Sequence, residues 1–300
     1  MKLLLTGVFK YSEEQLNTIQ SLGYEIIFVK DERLPLEIDV TDVEAVVCNG
    51  LFLYNDIAKF KSLKFIQLTS AGMDRVPIDY IKQLGIEIYN ARGVYSIPMT
   101  EFVVLKILEI YKNSRHFYEI QLKHKWEKKR DLLELTDKSA AIIGFGSVGT
   151  EVAKRLKVFG VNIIGVGRRK IESELIDESY TIDDLDKVLM KSDIVILTLP
   201  LTEETRCLID AKKLSYMKDN SVLVNVSRGG VIDERALIEA IQAGKFLGIA
   251  LDVFEEEPLS EESILWDLER VIVTPHNSFV SDKVNERMFE LICENLKEII

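Results

Sequence analysis

Three glycines at positions 144, 146 and 149 have the spacing that phosphate-binding turns use. Residues 139–149 read S-A-A-I-I-G-F-G-S-V-G, so a short apolar run passes directly into G-x-G-x-x-G. In such a turn Gly144 allows a tight bend, Gly146 lets a pyrophosphate approach bare backbone, and Gly149 lets the next helix pack on the strand. The N-terminus of that helix presents unpaired N–H groups and the positive end of a dipole to an anion.

Glycines after a buried strand are also ordinary turn residues, so the motif predicts a nucleotide site only in the right context. A helical pattern with apolar residues at 152, 153, 156 and 159 follows the glycines and ends at Gly160. A second apolar strand then spans residues 161–166. Strand, glycine turn, helix and strand within about thirty residues form the mononucleotide-binding unit that the motif requires.

Three further side chains that could do chemistry, Arg228, Glu257 and His276, follow predicted strands. Each comes within a few residues of the end of an apolar run. Ligands bind outside the carboxyl ends of the strands in a doubly wound sheet, so these groups can converge on one ligand. Taken singly, each has a purely structural explanation. Arg228 could form an ion pair at the rim of the sheet, Glu257 could belong to a solvated turn, and His276 could be a capped histidine in a loop.

Strands that alternate with helical segments predict an α/β protein with parallel sheets covered on both faces. In the first ninety-odd residues we predict strands at 3–8, 24–29, 45–48, 65–68 and 86–89, with helices at 13–22 and around 57–60. A long helix is predicted from Pro98 to about Tyr118. Beyond the glycine turn we predict strands at 161–166, 194–199, 221–226, 248–251 and 271–274, with helices around 182–190 and 235–243.

The bulk composition excludes several classes of protein. A net charge of −11 and a pI near 5.0 argue against a nucleic-acid partner, which requires a basic face. The one basic cluster, residues 123–130, is typical of a solvated surface. Apolar runs are too short for a signal peptide or a membrane span, so we predict a cytoplasmic protein without a membrane partner.

Cysteine and histidine usage predicts neither disulfides nor a metal site. Cys48, Cys207 and Cys293 are scattered, and burial as small apolar residues is the better interpretation of all three. His116 and His124 lie on a polar segment and are predicted to be surface residues. No histidine stands in metal-ligand spacing with another histidine or a cysteine, so we predict no metal.

Five motifs, taken in order, resemble the D-isomer-specific 2-hydroxyacid dehydrogenase family, which includes glyoxylate/hydroxypyruvate reductases and phosphoglycerate dehydrogenases. They are G-F-G-S-V-G, L-P-L-T-E-E-T, N-V-S-R-G-G-V-I-D-E, L-D-V-F-E-E-E-P and T-P-H. The resemblance covers nearly the whole chain. It implies two doubly wound parallel-sheet domains with the active site in the cleft. These are a flavodoxin-like substrate domain of residues 1–95 plus 277–300 and an inserted Rossmann dinucleotide-binding domain of residues 96–276.

The resemblance also implies the role of each site residue. Arg228 would bind the substrate carboxylate and carbonyl, His276 would be the acid/base, and Glu257 would orient and charge that histidine. The backbone of three residues would hold the substrate carboxylate: Ser70, Ala71 and Gly72. The resemblance also implies that Ser227 and Asp252 lie near the nicotinamide. With the residues of the glycine turn and of the strand ends, the predicted coenzyme contacts are Gly144, Phe145, Gly146, Ser147, Val148, Gly149, Arg168, Arg169, Leu199, Pro200, Thr205, Ser227 and Asp252.

These roles agree with the chemistry of the reaction. Reducing a 2-keto acid needs a hydride from a nicotinamide, a proton for the developing alkoxide and a fixed cation for the carboxylate. Arginine supplies a planar two-point grip that lysine cannot. A carboxylate beside a histidine stabilises the charged imidazolium, which can then donate a proton.

The end of the second strand of the nucleotide unit predicts NADPH in preference to NADH. Residues 166–170 read V-G-R-R-K, about twenty residues beyond the glycine turn, where an NAD enzyme places an Asp or Glu on the ribose hydroxyls. That acid is absent here, Gly167 leaves room, and Arg168 and Arg169 suit a 2′-phosphate. The alternative is a basic surface loop without a coenzyme role, and NAD(H) stays open as a second coenzyme.

We therefore predict an oxidoreductase that acts on CH–OH donors and transfers a hydride between NADP(H) and a small 2-keto or D-2-hydroxy acid, with glyoxylate or hydroxypyruvate as leading substrates. Two alternatives stay open, a corepressor-like nucleotide-sensing protein without turnover and an NAD-using D-3-phosphoglycerate dehydrogenase. Formate dehydrogenase is disfavoured, because that related group has Gln where Glu257 stands. The resemblance further implies a homodimer, formed with the helix after Pro98 and the extension that carries Trp126.

Two features depart from the family pattern. Residues 277–279 read N-S-F, where members often have Ile or Val and small residues, and this could reshape the substrate pocket. The chain also ends at Ile300 without the extra regulatory domain of the longer phosphoglycerate dehydrogenases. Feedback control by an end product is therefore not expected.

Overall fold

A computed structural model describes residues 1–299 of the 300-residue chain. The chain forms two compact units, Met1–Tyr95 with Ser281–Ile300, and Ser96–Val280. The sequence predicted domain boundaries after residues 95 and 276. In the structure the two units divide after Tyr95 and after Val280. That the first unit binds substrate and the second binds coenzyme stays a prediction.

Strands and helices alternate along most of the described chain. In order they are β1 (Lys2–Thr6), α1 (Glu13–Ser21), β2 (Glu25–Val29), β3 (Ala45–Cys48), α2 (Leu51–Tyr54), β4 (Phe65–Leu68), α3 (Ile78–Gln83), β5 (Glu87–Tyr89), α4 (Ser96–Tyr111), α5 (Ser114–Leu122), β6 (Ser139–Ile143), α6 (Ser147–Val158), β7 (Asn162–Gly167), β8 (Glu178–Thr181), α7 (Leu185–Lys191), β9 (Ile194–Leu197), α8 (Ala211–Tyr216), β10 (Ser221–Asn225), α9 (Glu234–Gln242), β11 (Phe246–Leu251), β12 (Val271–Val273) and α10 (Val284–Glu298).

The first unit is a five-stranded parallel sheet in the order β2-β1-β3-β4-β5. This is the flavodoxin-like order that the sequence predicted. Every residue of β3 and β4 is buried, because elements pack on both faces of the sheet. The capping box that begins α1 pairs Ser12 with Gln15, and α10 packs its apolar face on the core of the same unit.

The second unit is a seven-stranded sheet of parallel pairs in the order β12-β11-β10-β9-β6-β7-β8. Counted from β6, the order is 3-2-1-4-5-6-7, which is the Rossmann order extended by one strand. The strand order reverses between β6 and β9. The loops that follow these two strands therefore flank the crevice in which such sheets bind ligands.

The prediction of a single helix from Pro98 to about Tyr118 is wrong. The chain forms α4 and α5 instead, because Asn113 between them has a φ of 49°. Asparagine tolerates this left-handed conformation better than most residues do, and a left-handed residue cannot continue a right-handed helix.

Smaller features also differ from the predictions, among them the short helices α2, α3 and α8, which were not predicted. The edge strand β8 was not predicted, since its E-S-Y-T sequence is only partly buried and carries no apolar run. Cys207 is exposed rather than buried, whereas Cys48 and Cys293 are buried as predicted. None of the helices within residues 1–299 has both the length and the apolar character needed to cross a bilayer.

Candidate active site

The turn between β6 and α6 depends on its first glycine. Gly144 has a φ of 95°, a conformation that residues with a side chain rarely adopt. Its N–H donates to the carbonyl oxygen of Val166 at 2.9 Å. A Cβ on Gly144 would lie 2.6 Å from the backbone nitrogen of Leu199. Only glycine therefore lets this turn pass so close to the chain that follows β9.

The other two glycines have different effects: Gly146 leaves the start of α6 open, and Gly149 lets α6 lie close to the chain at the end of β6. Gly146 is the N-cap of α6, and no side chain within residues 1–299 caps this helix or approaches within 4 Å of a Cβ built on Gly146. A Cβ on Gly149 would lie 2.9 Å from the carbonyl oxygen of Gly144. This twelve-residue helix thus presents uncapped N–H groups beside bare backbone, which fits a pyrophosphate.

The remaining predicted coenzyme contacts of this edge lie beside the glycine turn or after β7 and β9. Arg168 and Arg169 directly follow β7, and both are exposed. A Cβ on Gly167 would lie 3.1 Å from the carbonyl oxygen of Arg169, so this position has less room than expected. The others are Phe145, Ser147 and Val148 around the start of α6, and Leu199 and Pro200 after β9.

The loop after β9 is held by its own hydroxyl groups and lies within electrostatic range of Arg168. The hydroxyl of Thr202 donates to Glu204 Oε2 at 2.6 Å; this bond and, more weakly, the charge of Arg168 lower the pKa of Glu204. The hydroxyl of Thr205 donates to the Pro200 carbonyl and accepts from the Thr202 N–H, both at 2.7 Å. The predicted coenzyme contact Thr205 therefore uses its hydroxyl within its own loop.

Arg228 lies in a turn that begins at the end of β10. The carboxamide of Asn225 accepts from the backbone N–H and the hydroxyl of Ser227, at 3.0 and 2.8 Å. The same carboxamide donates to the carbonyl oxygen of Arg228 at 3.0 Å. Ser227, a predicted coenzyme contact, is thus bound to Asn225 and is buried. The guanidinium Nη1 of Arg228 donates to the Ser227 carbonyl at 2.8 Å.

Gly229 packs the arginine turn against the loop that carries Glu257. A Cβ on Gly229 would lie 1.8 Å from the carbonyl carbon of Phe254, so any other residue would separate the two segments. The N–H of Phe254 in turn donates to Glu257 Oε1 at 3.1 Å. Arg228 and Glu257 are therefore supported by backbone segments that touch.

Glu257 and His276 form a direct pair. The second carboxylate oxygen of Glu257, Oε2, lies 2.8 Å from His276 Nδ1, and their side chains are 37% and 32% exposed. With Nδ1–H directed at the carboxylate, Nε2 is left to exchange a proton with a ligand. The edge of the Phe279 ring and the imidazole ring are T-shaped, with centroids 5.9 Å apart.

The backbone around His276 is fixed by Asp252, a residue predicted to lie near the nicotinamide. Asp252 is fully buried, and its carboxylate accepts from the hydroxyl of Thr274 at 2.7 Å and the N–H groups of Asn277 and Ser278 at 2.8 and 2.9 Å. The Asp252 carbonyl oxygen also accepts from the His276 N–H at 2.8 Å. The structure therefore gives Asp252 a supporting role that the sequence did not predict.

In the first unit, the turn of Ser70, Ala71 and Gly72 follows β4 and uses all three of its carbonyl groups. They accept from the N–H of Ala91 at 2.9 Å, the carboxamide of Asn90 at 2.7 Å and the hydroxyl of Ser70 at 2.8 Å, respectively. No N–H group of the three donates to an acceptor within residues 1–299. Such N–H groups suit a carboxylate ligand.

Arg228, Glu257 and His276 follow three neighbouring strands, β10, β11 and β12. The sequence predicted a catalytic role for these three residues, and that role stays a prediction. The sequence missed Asn225 and the supporting role of Asp252, although a polar residue at the buried end of an apolar strand was a signal for both. Among residues 1–299 no three His, Cys, Asp or Glu side chains are placed to hold a metal ion.

Comparison with known proteins shows the family of the chain. Residues 104–278 match the family model described as "D-isomer specific 2-hydroxyacid dehydrogenase, NAD binding domain". The hydroxypyruvate reductase of Thermotoga maritima is 36% identical over 280 residues, which are 90% of this chain and 88% of that protein. The D-3-phosphoglycerate dehydrogenase of Methanocaldococcus jannaschii is 34% identical over 261 residues, 85% of this chain but 49% of that protein. The chain thus spans about half the length of the phosphoglycerate dehydrogenases that it matches.

A solved structure is similar over nearly the whole chain. A D-isomer specific 2-hydroxyacid dehydrogenase from Xanthobacter autotrophicus Py2, in complex with NADPH and MES, has a TM-score of 0.83 and 26% identity, covering 99% of this chain and 94% of that one. The sequence motifs, the strand order, the relatives similar in sequence and the solved structure point to the same conclusion. This chain belongs to the D-isomer specific 2-hydroxyacid dehydrogenase family.

Proposed function

We propose that this protein uses NAD(P)H to reduce a small 2-keto acid to the D-2-hydroxy acid, with hydroxypyruvate or glyoxylate as the leading substrate. The observation that carries the proposal is the 2.8 Å contact between Glu257 Oε2 and His276 Nδ1, beyond the ends of paired strands β11 and β12. The similarity to the hydroxypyruvate reductase of Thermotoga maritima supports the same reaction class.

In this proposal His276 is the general acid in reduction and the general base in oxidation. Its Nε2 donates to the alkoxide that develops from the keto oxygen, and in the oxidative direction the same atom accepts the hydroxyl proton. Glu257 orients the imidazole through its contact with Nδ1 and offers a carboxylate to the ring when the ring carries a proton on both nitrogens. The glycine turn and the open N-terminus of α6 would hold the nicotinamide coenzyme, which when bound supplies the hydride.

Arg228 is proposed to bind the keto-acid carboxylate. A guanidinium makes two parallel hydrogen bonds to a carboxylate, and this fixes the orientation of the carbonyl group as well as its position. Reaction rates depend steeply on such orientation. The N–H groups of Ser70, Ala71 and Gly72 are also suited to a carboxylate, and their part in substrate binding stays a prediction.

We propose NADPH as the preferred coenzyme. The strand β7 ends without the acidic residue that would take the ribose hydroxyls, and the exposed Arg168 and Arg169 follow it. Guanidinium groups there suit a 2′-phosphate. The NADPH complex of the relative from Xanthobacter autotrophicus supports this choice. The NAD named in the family description keeps NADH as the alternative.

One alternative substrate has a specific observation in its favour. The similarity to the phosphoglycerate dehydrogenase of Methanocaldococcus jannaschii favours D-3-phosphoglycerate, oxidised with NAD. This reaction would use the same proton donor and the same carboxylate grip. It differs in requiring recognition of a phosphate group at the far end of the substrate.

Coenzyme absorbance during turnover tests the proposal. NADPH and NADH are each followed with glyoxylate, hydroxypyruvate, phosphohydroxypyruvate, pyruvate and a branched 2-keto acid. We expect the highest kcat/KM with NADPH and either hydroxypyruvate or glyoxylate. A preference for phosphohydroxypyruvate and NADH would favour the alternative substrate. If none of the five acids is reduced, the proposed function is contradicted.

We also propose a homodimer, as the family resemblance implies. Beyond α4, the chain presents large apolar side chains to solvent, with Leu122 83% exposed and Trp126 95% exposed. Such side chains are typical of an interface. Light scattering at micromolar concentration should give twice the monomer mass, and a monomer mass would contradict the proposal. The cytoplasmic location stays a prediction.

A further inference from the structure

Asn225, the last residue of β10, has no part in the proposed chemistry, yet its side chain makes three hydrogen bonds. It is 1% exposed. Its Oδ1 accepts from the N–H and hydroxyl of Ser227, and its Nδ2 donates to the carbonyl oxygen of Arg228. Because a backbone N–H can only donate, the bond from Ser227 N–H fixes which carboxamide atom is oxygen.

These bonds hold the backbone on both sides of the Arg228 Cα. The residue before Arg228 is held through its N–H, and Arg228 itself is held through its carbonyl oxygen. The backbone at Arg228 is extended, with φ −146° and ψ 146°. On the far side, Gly229 lies directly against the Phe254 backbone. Asn225 therefore helps to fix the backbone from which the Arg228 side chain leaves this turn.

Asn225 also connects the arginine turn to the proton-donating side of the site. Its backbone carbonyl accepts from the N–H of Asp252 at 3.0 Å. Asp252 in turn holds the loop of His276 through its carboxylate. Asn225 and Asp252 thus support the two proposed functional side chains, and a backbone hydrogen bond joins the two supports.

We propose that Asn225 is a positioning residue for Arg228. It does not touch the substrate; it holds the turn so that the guanidinium meets the keto-acid carboxylate in the reactive orientation. The inference rests on the proposed reduction of a 2-keto acid. Its consequence is selective: loss of Asn225 should impair substrate recognition and turnover far more than coenzyme binding, because the coenzyme is proposed to be held chiefly at the β6–α6 turn and only in part by Ser227, which Asn225 also holds.

A double-mutant cycle with Arg228 tests this selectivity. With NADPH and the best keto acid, we expect Asn225→Ala to lower kcat/KM by about 10- to 100-fold, because small misplacements of a positioning group have costs of this order. In the Arg228→Lys background the same change should cost less than about threefold, since the two-point grip is already lost. Equal losses in both backgrounds would overturn the proposal.

Ser192→Ala is the matched control for loss of a buried hydrogen bond. Ser192 is fully buried in the same unit, and its hydroxyl donates to the Val188 carbonyl at 2.7 Å. This variant should lower Tm without changing the KM for the keto acid. Asn225→Asp guards against misfolding of Asn225→Ala, because it keeps the shape and the acceptor but loses the donor to Arg228. Parental kcat/KM in Asn225→Asp would also overturn the proposal.

Oxamate, an unreactive analogue of a 2-keto acid, separates failure of this inference from failure of the proposed function. Binding is measured by calorimetry on the NADPH-loaded protein. A parent that binds oxamate but reduces no keto acid contradicts the proposed function, and Asn225→Ala should still weaken oxamate binding by about 10-fold. Parental oxamate affinity in Asn225→Ala, or no oxamate binding by the parent, overturns the inference.

Discussion

His276 has a φ of 49°, a left-handed conformation that is uncommon for a residue with a side chain. Such a conformation costs on the order of 1 kcal/mol, so the surrounding bonds must stabilise it. The Asp252 carbonyl accepts from the His276 N–H, and the Asp252 carboxylate binds the next two N–H groups along the chain. The position of the imidazole therefore depends on a buried residue that need not touch the substrate.

Replacing His276 by alanine should remove the proton donor. We expect turnover to fall by about two to four orders of magnitude, which is the usual contribution of general acid catalysis. The Kd for NADPH should stay nearly constant, because the glycine turn lies on other strands. Steady-state kinetics and coenzyme titration measure the two effects. Near-parental turnover by His276→Ala would rule out this assignment.

Arg168 should determine the preference for NADPH. Arg168→Gln keeps much of the side-chain volume and removes the charge, so we expect kcat/KM for NADPH to fall by about 10-fold, the worth of a charge-assisted hydrogen bond. The value for NADH should not fall. Adding Gly167→Asp should then favour NADH, after a shift of a few tenths of an ångström to clear the Arg169 carbonyl.

Lys170→Gln is the control for that experiment, since it removes one positive charge from the same exposed segment. It should have little effect on either coenzyme. Equal effects of Lys170→Gln and Arg168→Gln would mean that the segment acts only through its overall charge. Comparable kcat/KM for NADPH and NADH in the parent would already contradict the predicted preference.

Individual elements were predictable where local sequence alone determines them. The bounds of β3 and β4 agree with the predicted 45–48 and 65–68, because each is a short, fully buried apolar run. The start of α1 was predictable from its Ser12 cap. The break at Asn113 was not, because an apolar helical pattern continues across it and only one backbone conformation interrupts the helix.

The glycine turn gives an element-level prediction with an internal control. Gly144→Ala should lower Tm and abolish coenzyme binding, because the new Cβ would lie 2.6 Å from the Leu199 backbone at a positive φ. Gly146→Ala should leave Tm close to the parental value, since its Cβ enters open space. It should nevertheless weaken NADPH binding, because that space is where the pyrophosphate is proposed to lie.

Thermal unfolding and coenzyme titration of both variants separate structure from binding. Unaltered NADPH affinity in a well-folded Gly146→Ala variant would contradict the proposed pyrophosphate site. An unaltered Tm for Gly144→Ala would contradict the account of the turn.

Across the whole molecule, the prediction of two doubly wound sheets is confirmed, and the roles of Arg228, Glu257 and His276 stay predictions. Their supports were not predictable in the same way. The bonds from Asp252 to the histidine loop depend on how β11 and β12 align with one another. Those from Asn225 join residues two and three positions apart and depend on the local conformation of the turn. Alignment between strands is a property of the assembled sheet, and a single sequence specifies it only through packing.

Acid should destabilise the fold through carboxylates such as Asp177. The N–H of Ile163 at 2.7 Å and the ammonium group of Lys157 at 2.9 Å lower the pKa of Asp177 below its ordinary 3.8. A carboxylate whose pKa is lower in the folded state than in the unfolded state stabilises the fold at pH values above its unfolded-state pKa. This contribution disappears as the pH falls through its folded-state pKa. The free energy of unfolding should therefore fall below pH 3.8.

Urea unfolding at about pH 6 and about pH 3 measures this dependence. The Asp177 pair is partly solvated, so Asp177→Asn should reduce the difference between the two conditions by no more than about 1 kcal/mol. An identical pH dependence in Asp177→Asn and the parent would show that Asp177 contributes nothing to acid sensitivity.

The configuration of the product is the sharpest test of the proposed reduction to a D-2-hydroxy acid, and hydroxypyruvate is the right substrate because glyoxylate gives an achiral acid. The protein is incubated with hydroxypyruvate and NADPH, and the glycerate formed is resolved by chiral chromatography. We expect D-glycerate from the parent and almost none from His276→Ala. L-glycerate, a racemic mixture, or no glycerate with either NADPH or NADH would contradict the proposed reduction.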